Sequence, residues 1–276
     1  MSTVHQPRLV VNADDFGRSQ SINEAVIRAH RDGILTSASL MVNEPACDQA
    51  VALARQNPRL GVGLHLSLVC GQSALPPSAI PGLVNAKGDF ARDPVKTGMR
   101  YFFKPSLLPQ LQAEIHAQFD RFRATGLPLD HLNGHLHLHL HPTVFGILVK
   151  ESASLGWNRF RLTRDPFWLN LSLARGRLVY RAANALIFSA LSASALPALR
   201  NRNTRHTHRV FGALQDGAMN EDYLLRLLKR LPPGDSELYS HPSLDEFGHE
   251  LEALISPRVI SQVRDSKIQL IRYQDL

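Results

Sequence analysis

The chain has 276 residues, of which 44% are apolar, with 31 basic and 24 acidic side chains. A chain of this length and apolar content can bury a sizeable core, which excludes an intrinsically disordered protein. Two cysteines, Cys47 and Cys70, are too few for a disulfide scaffold or a thiolate zinc finger. No basic segment followed by an apolar one opens the chain, so we expect no secretory signal and a cytoplasmic location.

Apolar runs of β-type composition alternate with helical patterns along the chain. Strands are predicted over residues 8–13, 35–42, 60–68, 129–138, 159–163, 236–240 and 268–273. Helices are predicted over residues 21–33, 45–57, 109–126, 142–156 and 220–232. Ser21 and Glu24 form a predicted capping box at the start of the first helix, and Gly33 ends that helix.

This alternation predicts parallel βα units and therefore an α/β fold. The expected architecture is barrel-like, a distorted seven-stranded TIM-type barrel that forms a single catalytic domain over residues 1–276. An open, doubly wound sheet is the alternative.

Two regions interrupt the alternation. Residues 71–104 are rich in proline and glycine and predict a loop over one end of the barrel. Residues 165–208 predict an Arg-rich, apolar helical insertion or lid, within which residues 182–199 carry no charge. That uncharged length approaches a membrane span, but its serines, Asn184 and Pro197 favour a helical hairpin or lid.

Positive charge is concentrated in one part of the chain. Residues 159–209 hold ten arginines, no lysine and one acid, Asp165. A basic segment beside an apolar one is typical of a surface that meets anionic lipids, so we expect a lid in peripheral contact with a membrane. Few aromatic residues interleave these arginines, so nucleic acid is not an expected partner. An ordinary insertion with solvated arginines is the alternative.

Two adjacent carboxylates, Asp14 and Asp15, follow the first predicted strand. In parallel α/β barrels the active site lies at this end of the strands. Neighbouring strand residues point to opposite faces, so both carboxylates reach one site only if the chain turns, for which Phe16 and Gly17 are suited. A helix-capping Asp beside a surface Asp is the alternative.

His65 lies on the third predicted strand and shares a face with Gly61, Gly63 and Ser67. Small neighbours leave open space beside the imidazole, which suits a ligand or a metal. A hydrogen-bonded core histidine is the alternative. His241 ends a late predicted strand, which places it at the same rim of a barrel.

Histidines and Asn133 alternate with smaller or apolar residues from His131 to His141. A period of two places these imidazoles on one face of an extended segment. Because that segment is much longer than one site, only one or two of them can bind the same ion. His135 and its rival His137 are the candidates.

An Asp and two His from separate strands form a set that binds a divalent cation and leaves coordination positions open. The chain lacks the motifs of a serine-hydrolase elbow, a phosphate-binding P-loop and a dinucleotide-binding glycine loop. Metal-assisted hydrolysis is therefore the favoured reaction class. A metal-dependent phosphoesterase, a nucleic-acid-binding module and a non-catalytic sugar-binding protein are the alternatives.

The chain resembles the YdjC-like carbohydrate deacetylases along nearly its whole length. The matching segments are residues 12–17 (Asn-Ala-Asp-Asp-Phe-Gly), 36–43, 61–66, the His-rich segment before Pro142, and 240–242 (Ser-His-Pro). The Arg-rich, apolar insertion resembles the hopanoid-biosynthesis-associated branch. The resemblance implies removal of acetate from an N-acetylated amino sugar, the N-acetylglucosaminyl group of a glycosylated hopanoid lipid. Soluble chito-oligosaccharides are the alternative substrate.

By position, the resemblance implies Asp14 as general base and His241 as acid. It implies that Asp15, His65 and His135 bind a divalent cation, Mg²⁺ by resemblance, although Zn²⁺, Co²⁺ or Mn²⁺ also suit these donors. The family usually has Asp-Ser-His where this chain has Asn-Gly-His at residues 133–135. That departure leaves the contacts around the second histidine ligand open, and the oligomeric state is not predicted.

Overall fold

The protein is organised around a curled, parallel sheet. The computed structural model describes residues 6–276, so residues 1–5, part of the stretch in which no secretory signal is predicted, lie outside it. The strands are β1 (Pro7–Phe16), β2 (Ser37–Leu40), β3 (Gly61–Leu66), β4 (Leu132–Gly134), β5 (Arg209–Phe211), β6 (Gly234–Ser240) and β7 (Gln269–Ile271). Six of them follow the order β4-β3-β2-β1-β6-β5, and the short β7 pairs with β1. Each of these pairings is parallel.

The α/β class and the barrel-like curl of the sheet predicted from the sequence are confirmed, but the distorted seven-stranded TIM-type barrel was wrong in its strand number and closure. The sheet curls into a half-barrel of six strands with β4 and β5 at its ends. The predicted strand over residues 159–163 makes only isolated bridges, from Phe160 to Leu132 and from Arg159 to Arg205. This segment lies between the two ends of the sheet without forming a regular strand. The strand β5 was not predicted from the sequence.

Within residues 6–276, eleven α-helices connect and cover the strands. They are α1 (Gln20–Asp32), α2 (Cys47–Arg55), α3 (Pro94–Phe103), α4 (Leu108–Ala124), α5 (Pro142–Lys150), α6 (Ser152–Leu155), α7 (Phe167–Leu173), α8 (Leu178–Asn201), α9 (Glu221–Leu228), α10 (Gly248–Ile255) and α11 (Pro257–Asp265). The predicted helices correspond to α1, α2, α4, α5 with α6, and α9. Helices α3, α10 and α11 were not predicted.

Two helix starts differ from the sequence-based expectation. The N-cap of α1 is Ser19, whose side chain accepts a hydrogen bond from the Ile22 backbone N–H, so the predicted capping box at Ser21 was wrong. Ser19 has the extended backbone that capping requires, whereas Ser21 already lies inside the helix. In the region predicted to be a loop, Asp93 caps α3 and Pro94 occupies its first turn.

The glycines of β3 allow close packing of neighbouring residues and do not leave open space for a ligand. A Cβ atom on Gly63 would lie 2.5 Å from the His131 ring, and one on Gly61 would lie 2.7 Å from Asp130 Oδ2. Both distances are far below van der Waals contact, so β4 and the residues before it can approach β3 only because these side chains are absent. The sequence-based expectation of free space around His65 was therefore wrong at these two positions.

The Arg-rich insertion folds into the two helices α7 and α8. By length and composition, α8 is apolar enough to cross a membrane, with a mean hydropathy of 1.5 over an 18-residue window of which 17% is buried. The arginines of residues 159–209 do not form one solvated surface, because Arg161 is 0% and Arg181 1% exposed. The ten arginines of this part of the sequence thus include both solvent-exposed side chains and buried ones that contact other residues of the protein.

Candidate active site

The end of β1 brings both carboxylates to one side of the sheet. The register against β2 shifts between Ala13 and Phe16, so two residues oppose one at a β-bulge. Within the bulge Asp15 has a φ of 63°, a left-handed conformation that is rare for residues other than glycine. The chain turns at Asp15 itself, one residue before the predicted Phe16-Gly17 turn, and both carboxylates lie beside His65, with Asp14 Oδ1 4.0 Å from Nδ1 and Asp15 Oδ1 3.3 Å from Nε2.

Asp15, His65 and His135 form the candidate metal site. One donor atom from each residue lies within 4.8 Å of the other two, and all three residues are buried. Asp15 Oδ1 is 2.9 Å from His135 Nδ1 and 3.3 Å from His65 Nε2. Burial would raise the pKa of Asp15, but the hydrogen-bonded His135 imidazole, the largest of the opposing effects, helps to hold the pKa well below the ordinary value. Asp15 is therefore ionised.

The donor set fits a divalent cation. His65 Nε2 is buried and has no hydrogen-bond partner among the described residues. A buried polar atom without a partner is costly in a native structure, and a bound ion would satisfy it. Two imidazoles and one carboxylate suit several divalent metals.

Asn133 fixes the tautomer of His65. Its Nδ2 lies 3.2 Å from Asp14 Oδ1 and 2.8 Å from Ser39 Oγ, while its Oδ1 lies 2.7 Å from His65 Nδ1. An ionised carboxylate only accepts hydrogen bonds, so the amide N–H₂ must face Asp14 and the amide oxygen must face His65. His65 Nδ1 then donates, and the lone pair of Nε2 points toward Asp15, as a metal ligand requires.

Asp14 is held by a buried arginine that sequence reasoning missed. Arg161 Nη1 and Nη2 donate to both Asp14 oxygens at 2.6 and 2.9 Å. The same guanidinium donates to Glu237 Oε1 through Nε at 2.9 Å and Nη2 at 2.7 Å. Burial would raise the pKa of Asp14, but Arg161, together with His65 and His241, more than offsets it, so the pKa lies well below its ordinary value and Asp14 is ionised.

Glu237 has a second buried partner, the Tyr273 hydroxyl, which donates to Glu237 Oε2. Arg161 and Glu237 each lie in apolar segments that were predicted as strands. A charged residue in the middle of a buried strand needs a partner, and this signal could have paired them. Their separation in the sequence left the pairing undetermined.

The His-rich segment is not one extended face, and that prediction was wrong. β4 ends at Gly134, and a turn of 3-10 helix follows from His135 to Leu140. Leu136 and His137 have φ values of 50° and 56°, which rotate the chain away from the strand direction. The histidines therefore have separate surroundings.

The rival ligand His137 lines the same cavity but has other partners. Its Nε2 lies 2.9 Å from the Tyr239 hydroxyl and its Nδ1 3.4 Å from Thr163 Oγ1. His139 Nε2 contacts the Arg161 carbonyl, and burial lowers the pKa of His139 to about 3. The geometry thus favours His135 over His137 as the second imidazole of the metal set.

His241 follows β6 and faces the same cavity. Its Nδ1 lies 3.4 Å from Asp216 Oδ1, and its backbone N–H donates to Glu250 Oε2 at 2.7 Å. Burial lowers the pKa of His241, but Asp15, Asp216, Asp14 and Glu250 reverse this effect and raise it above the ordinary value. The side chain is thus suited to carry a proton near neutral pH. Asp216 was not identified from the sequence.

A cavity of about 630 Å³ joins these groups. Asp14, His65, His135 and His241 form its polar floor, with Asp216 and Tyr239 beside them. Its walls come from α3 and α8 and are mainly apolar. The cavity thus lies between strand ends and the helices α3 and α8. Asp14, His65, His135 and His241, which were predicted from the sequence, line it.

We expect replacement of Asn133 to weaken metal binding. Asn133→Leu removes the acceptor for His65 Nδ1–H, so the apparent metal affinity should fall about 10–100-fold, as for other partners of metal-bound histidines. Asn133→Asp keeps an acceptor at this position and should retain most of the affinity. Calorimetric titration of chelator-treated protein with Mn²⁺ or Zn²⁺ measures both. Equal affinity in wild type and Asn133→Leu would contradict the assigned contact.

Comparisons with known proteins extend over this whole site. A carbohydrate deacetylase of Geobacillus stearothermophilus is 29% identical over 280 residues, which cover 96% of each chain. A carbohydrate deacetylase of Brevibacillus brevis is 42% identical over 144 residues, which cover 52% of this chain and about half, 54%, of that protein.

The fold has a close counterpart among solved structures. An Enterococcus faecalis V583 protein named for cellobiose-phosphate cleavage superposes with a TM-score of 0.75 over 98% of each chain, at 22% identity. At that identity the likeness establishes the fold alone. The sequence model of the YdjC-like proteins matches residues 8–265, which include every residue of the candidate site. The chain belongs to the YdjC-like protein family.

Proposed function

We propose that this protein removes an acetyl group from the nitrogen of an acetylated amino sugar. Its family and its full-length similarity to carbohydrate deacetylases make it a hydrolase of the deacetylase class. The observation that carries the proposal is one cavity lined by an ionised Asp14, a protonatable His241 and two members, His65 and His135, of the set that they form with Asp15. Amide hydrolysis needs groups that take a proton from water and give one to the leaving nitrogen.

In this proposal Asp15, His65 and His135 hold a divalent cation, with Mg²⁺ indicated by the family resemblance and Zn²⁺, Co²⁺ or Mn²⁺ compatible with the donors. When bound, such a cation polarises an acetyl carbonyl and makes water more acidic, so that a carboxylate of low pKa suffices as base. The set contains one carboxylate, whereas phosphoesterases that use two metal ions usually offer more.

Asp14 takes the proton of the attacking water as its oxygen bonds to the acetyl carbon. Arg161 orients Asp14 through two hydrogen bonds and keeps it ionised before the step. His241 then donates its proton to the sugar nitrogen as the carbon–nitrogen bond breaks. Acetate and the free amine leave, and the proton on Asp14 is passed to solvent, while His241 is reprotonated.

The walls of the cavity indicate an amphiphilic substrate. Six of the large apolar side chains that line it come from α3 and α8: Val95, Met99, Phe102, Ile187, Phe188 and Leu191. A soluble sugar offers little apolar surface for such walls, whereas a sugar linked to a lipid does. We therefore extend the proposal to the N-acetylglucosaminyl group of a glycosylated hopanoid lipid, met in the cytoplasm at the inner face of the membrane. Soluble chito-oligosaccharides remain the competing substrates.

Acetate release tests this function. The purified protein should release acetate from N-acetylglucosaminides, lose this activity after chelation and regain it with a divalent cation. Turnover of a hopanoid-linked N-acetylglucosaminide should exceed that of chito-oligosaccharides of equal concentration, because only the lipid-linked sugar fills the apolar walls. Phosphate release from model esters serves as the control for a phosphoesterase. No acetate from any substrate, with metal demonstrably bound, would contradict the proposal.

The two adjacent carboxylates should separate in function. Asp14→Asn removes the base and should lower kcat by about 10²–10⁴-fold, while bound metal stays near the wild-type level. Asp15→Asn removes a ligand and should lower metal content and activity together. Metal analysis, kcat and thermal unfolding of both variants measure the difference. Equal loss of metal in the two variants would refute the division of roles.

The alkaline limit of activity should depend on Asp216. Its negative charge helps to raise the pKa of His241, so Asp216→Asn should lower that pKa. His241 must be protonated to act as acid, and the alkaline limb of kcat/KM should therefore move to lower pH. Asp216 is partly exposed, so solvent screens its charge and we expect a modest shift. Asp216→Glu should keep the wild-type limb, and an unshifted limb in Asp216→Asn would exclude this role.

A further inference from the structure

Large apolar side chains are exposed on two helices that flank the cavity. We define the rim patch as Val95, Met99, Phe102 and Phe103 of α3 with Leu178, Val179, Leu186 and Ile187 of α8. These side chains are between 52% and 83% exposed. Single exposed apolar residues are common, but a group of this size on a monomer marks a surface that another apolar surface covers.

The rim patch is continuous with the active-site cavity. Val95, Met99 and Phe102 from α3 and Ile187 from α8 belong to the patch and also line the cavity. Whatever covers the patch therefore lies directly over the cavity mouth. A surface that delivers an amphiphilic substrate would occupy this position.

Positive charge surrounds the rim patch. Lys96 and Lys104 are exposed on and after α3, and Arg175 and Arg177 are exposed just before α8. Residues 94–113 and 166–215 contain no Asp or Glu. Asp93, next to α3, is engaged as its N-cap and lies 3.6 Å from Lys96 Nζ. Exposed apolar side chains framed by cations match a bilayer surface with anionic headgroups.

The buried side chains of α8 argue against a membrane span. Ser192, Ala195 and Leu199 are buried, and Ser192 Oγ donates to the Thr163 carbonyl. Arg181 is buried near the start of the helix, where its Nε donates to Asn170 Oδ1. To cross a bilayer, α8 would have to break these contacts and expose Arg181 to hydrocarbon.

We propose that the rim patch docks on the surface of an anionic lipid bilayer, with α3 and the first half of α8 inserted to headgroup depth. The cavity then opens onto the lipid surface. This inference rests on the proposed function only for its purpose, delivery of a lipid-linked sugar. Docking itself depends on the patch and its cations.

Vesicle co-sedimentation tests the docking. The full chain should sediment with vesicles of phosphatidylglycerol and phosphatidylcholine at low salt, and less with phosphatidylcholine alone. The triple variant Phe103→Gln, Val179→Gln and Leu186→Gln changes patch residues that do not line the cavity. It should lower the vesicle-bound fraction about tenfold or more, because the inserted apolar area supplies the affinity. The variant Lys96→Gln with Arg175→Gln should weaken binding to the anionic vesicles selectively.

Leu244→Gln is the matched control, since Leu244 is 47% exposed but lies outside α3 and α8. It should bind vesicles like the wild type. Circular dichroism and acetate release from a soluble N-acetylglucosaminide report whether each variant is folded. Vesicle binding that persists in a protein without deacetylase activity would support docking while refuting the proposed function.

Three results would overturn the docking proposal. The first is failure of the wild type to sediment with any vesicle, and the second is equal sedimentation of the wild type and the triple variant. The third is a dimeric wild type that becomes monomeric in the triple variant and binds no vesicles, which would assign the patch to a second copy of this chain.

Discussion

The ion cluster of Asp14, Arg161 and Glu237 is the interaction on which the active site depends. Arg161 is fully buried and is held between two carboxylates that come from different strands. A buried guanidinium that loses one carboxylate partner typically costs about 3–5 kcal/mol, so the cluster stabilises the sheet only while it is complete. It also sets the orientation of Asp14, because both oxygens accept from one rigid planar group.

From this cluster a chain of polar contacts runs to the candidate metal site. Asp14 fixes the amide of Asn133, and that amide fixes the imidazole of His65. The inside of the curled sheet is thus polar near the ends of β1, β3 and β4. There each hydrogen bond fixes whether the next side chain donates or accepts. The outside of the sheet is covered by helices and is apolar, which explains why β1 is buried nearly along its whole length.

Sequence reasoning found the site residues that lie at the ends of strands, because the alternation of strands and helices predicts a parallel sheet whose strand ends form one site. Asp14, Asp15, His65, His135 and His241 each lie at or near the end of a strand that its apolar run predicts, and four of them line the cavity. It failed where the backbone leaves regular geometry. Left-handed Leu136 and His137 end the alternation, and neither residue type signals that conformation.

Long-range pairing was the second limit. The partnership of Arg161 with Glu237 joins segments that are adjacent only in the folded sheet, and Arg161 was assigned to a basic surface because its neighbours in the sequence are basic. Short strands were the third limit, since β5 contains only three residues and is defined by its partner β6. The start of α3 was readable from Asp93 and Pro94, but the surrounding prolines and glycines concealed it.

The neutral side chain at position 133 has a consequence for the charge of the site. Asp14 and Glu237 share the buried Arg161, and Asp15 pairs with Arg18 at 2.7 Å, so the carboxylates of the site already have cationic partners. The amide of Asn133 adds no charge and turns its N–H toward Asp14 Oδ1 at 3.2 Å. A carboxylate in its place would bring a second negative oxygen to that distance from Asp14, so the amide replaces a like-charge repulsion with a hydrogen bond.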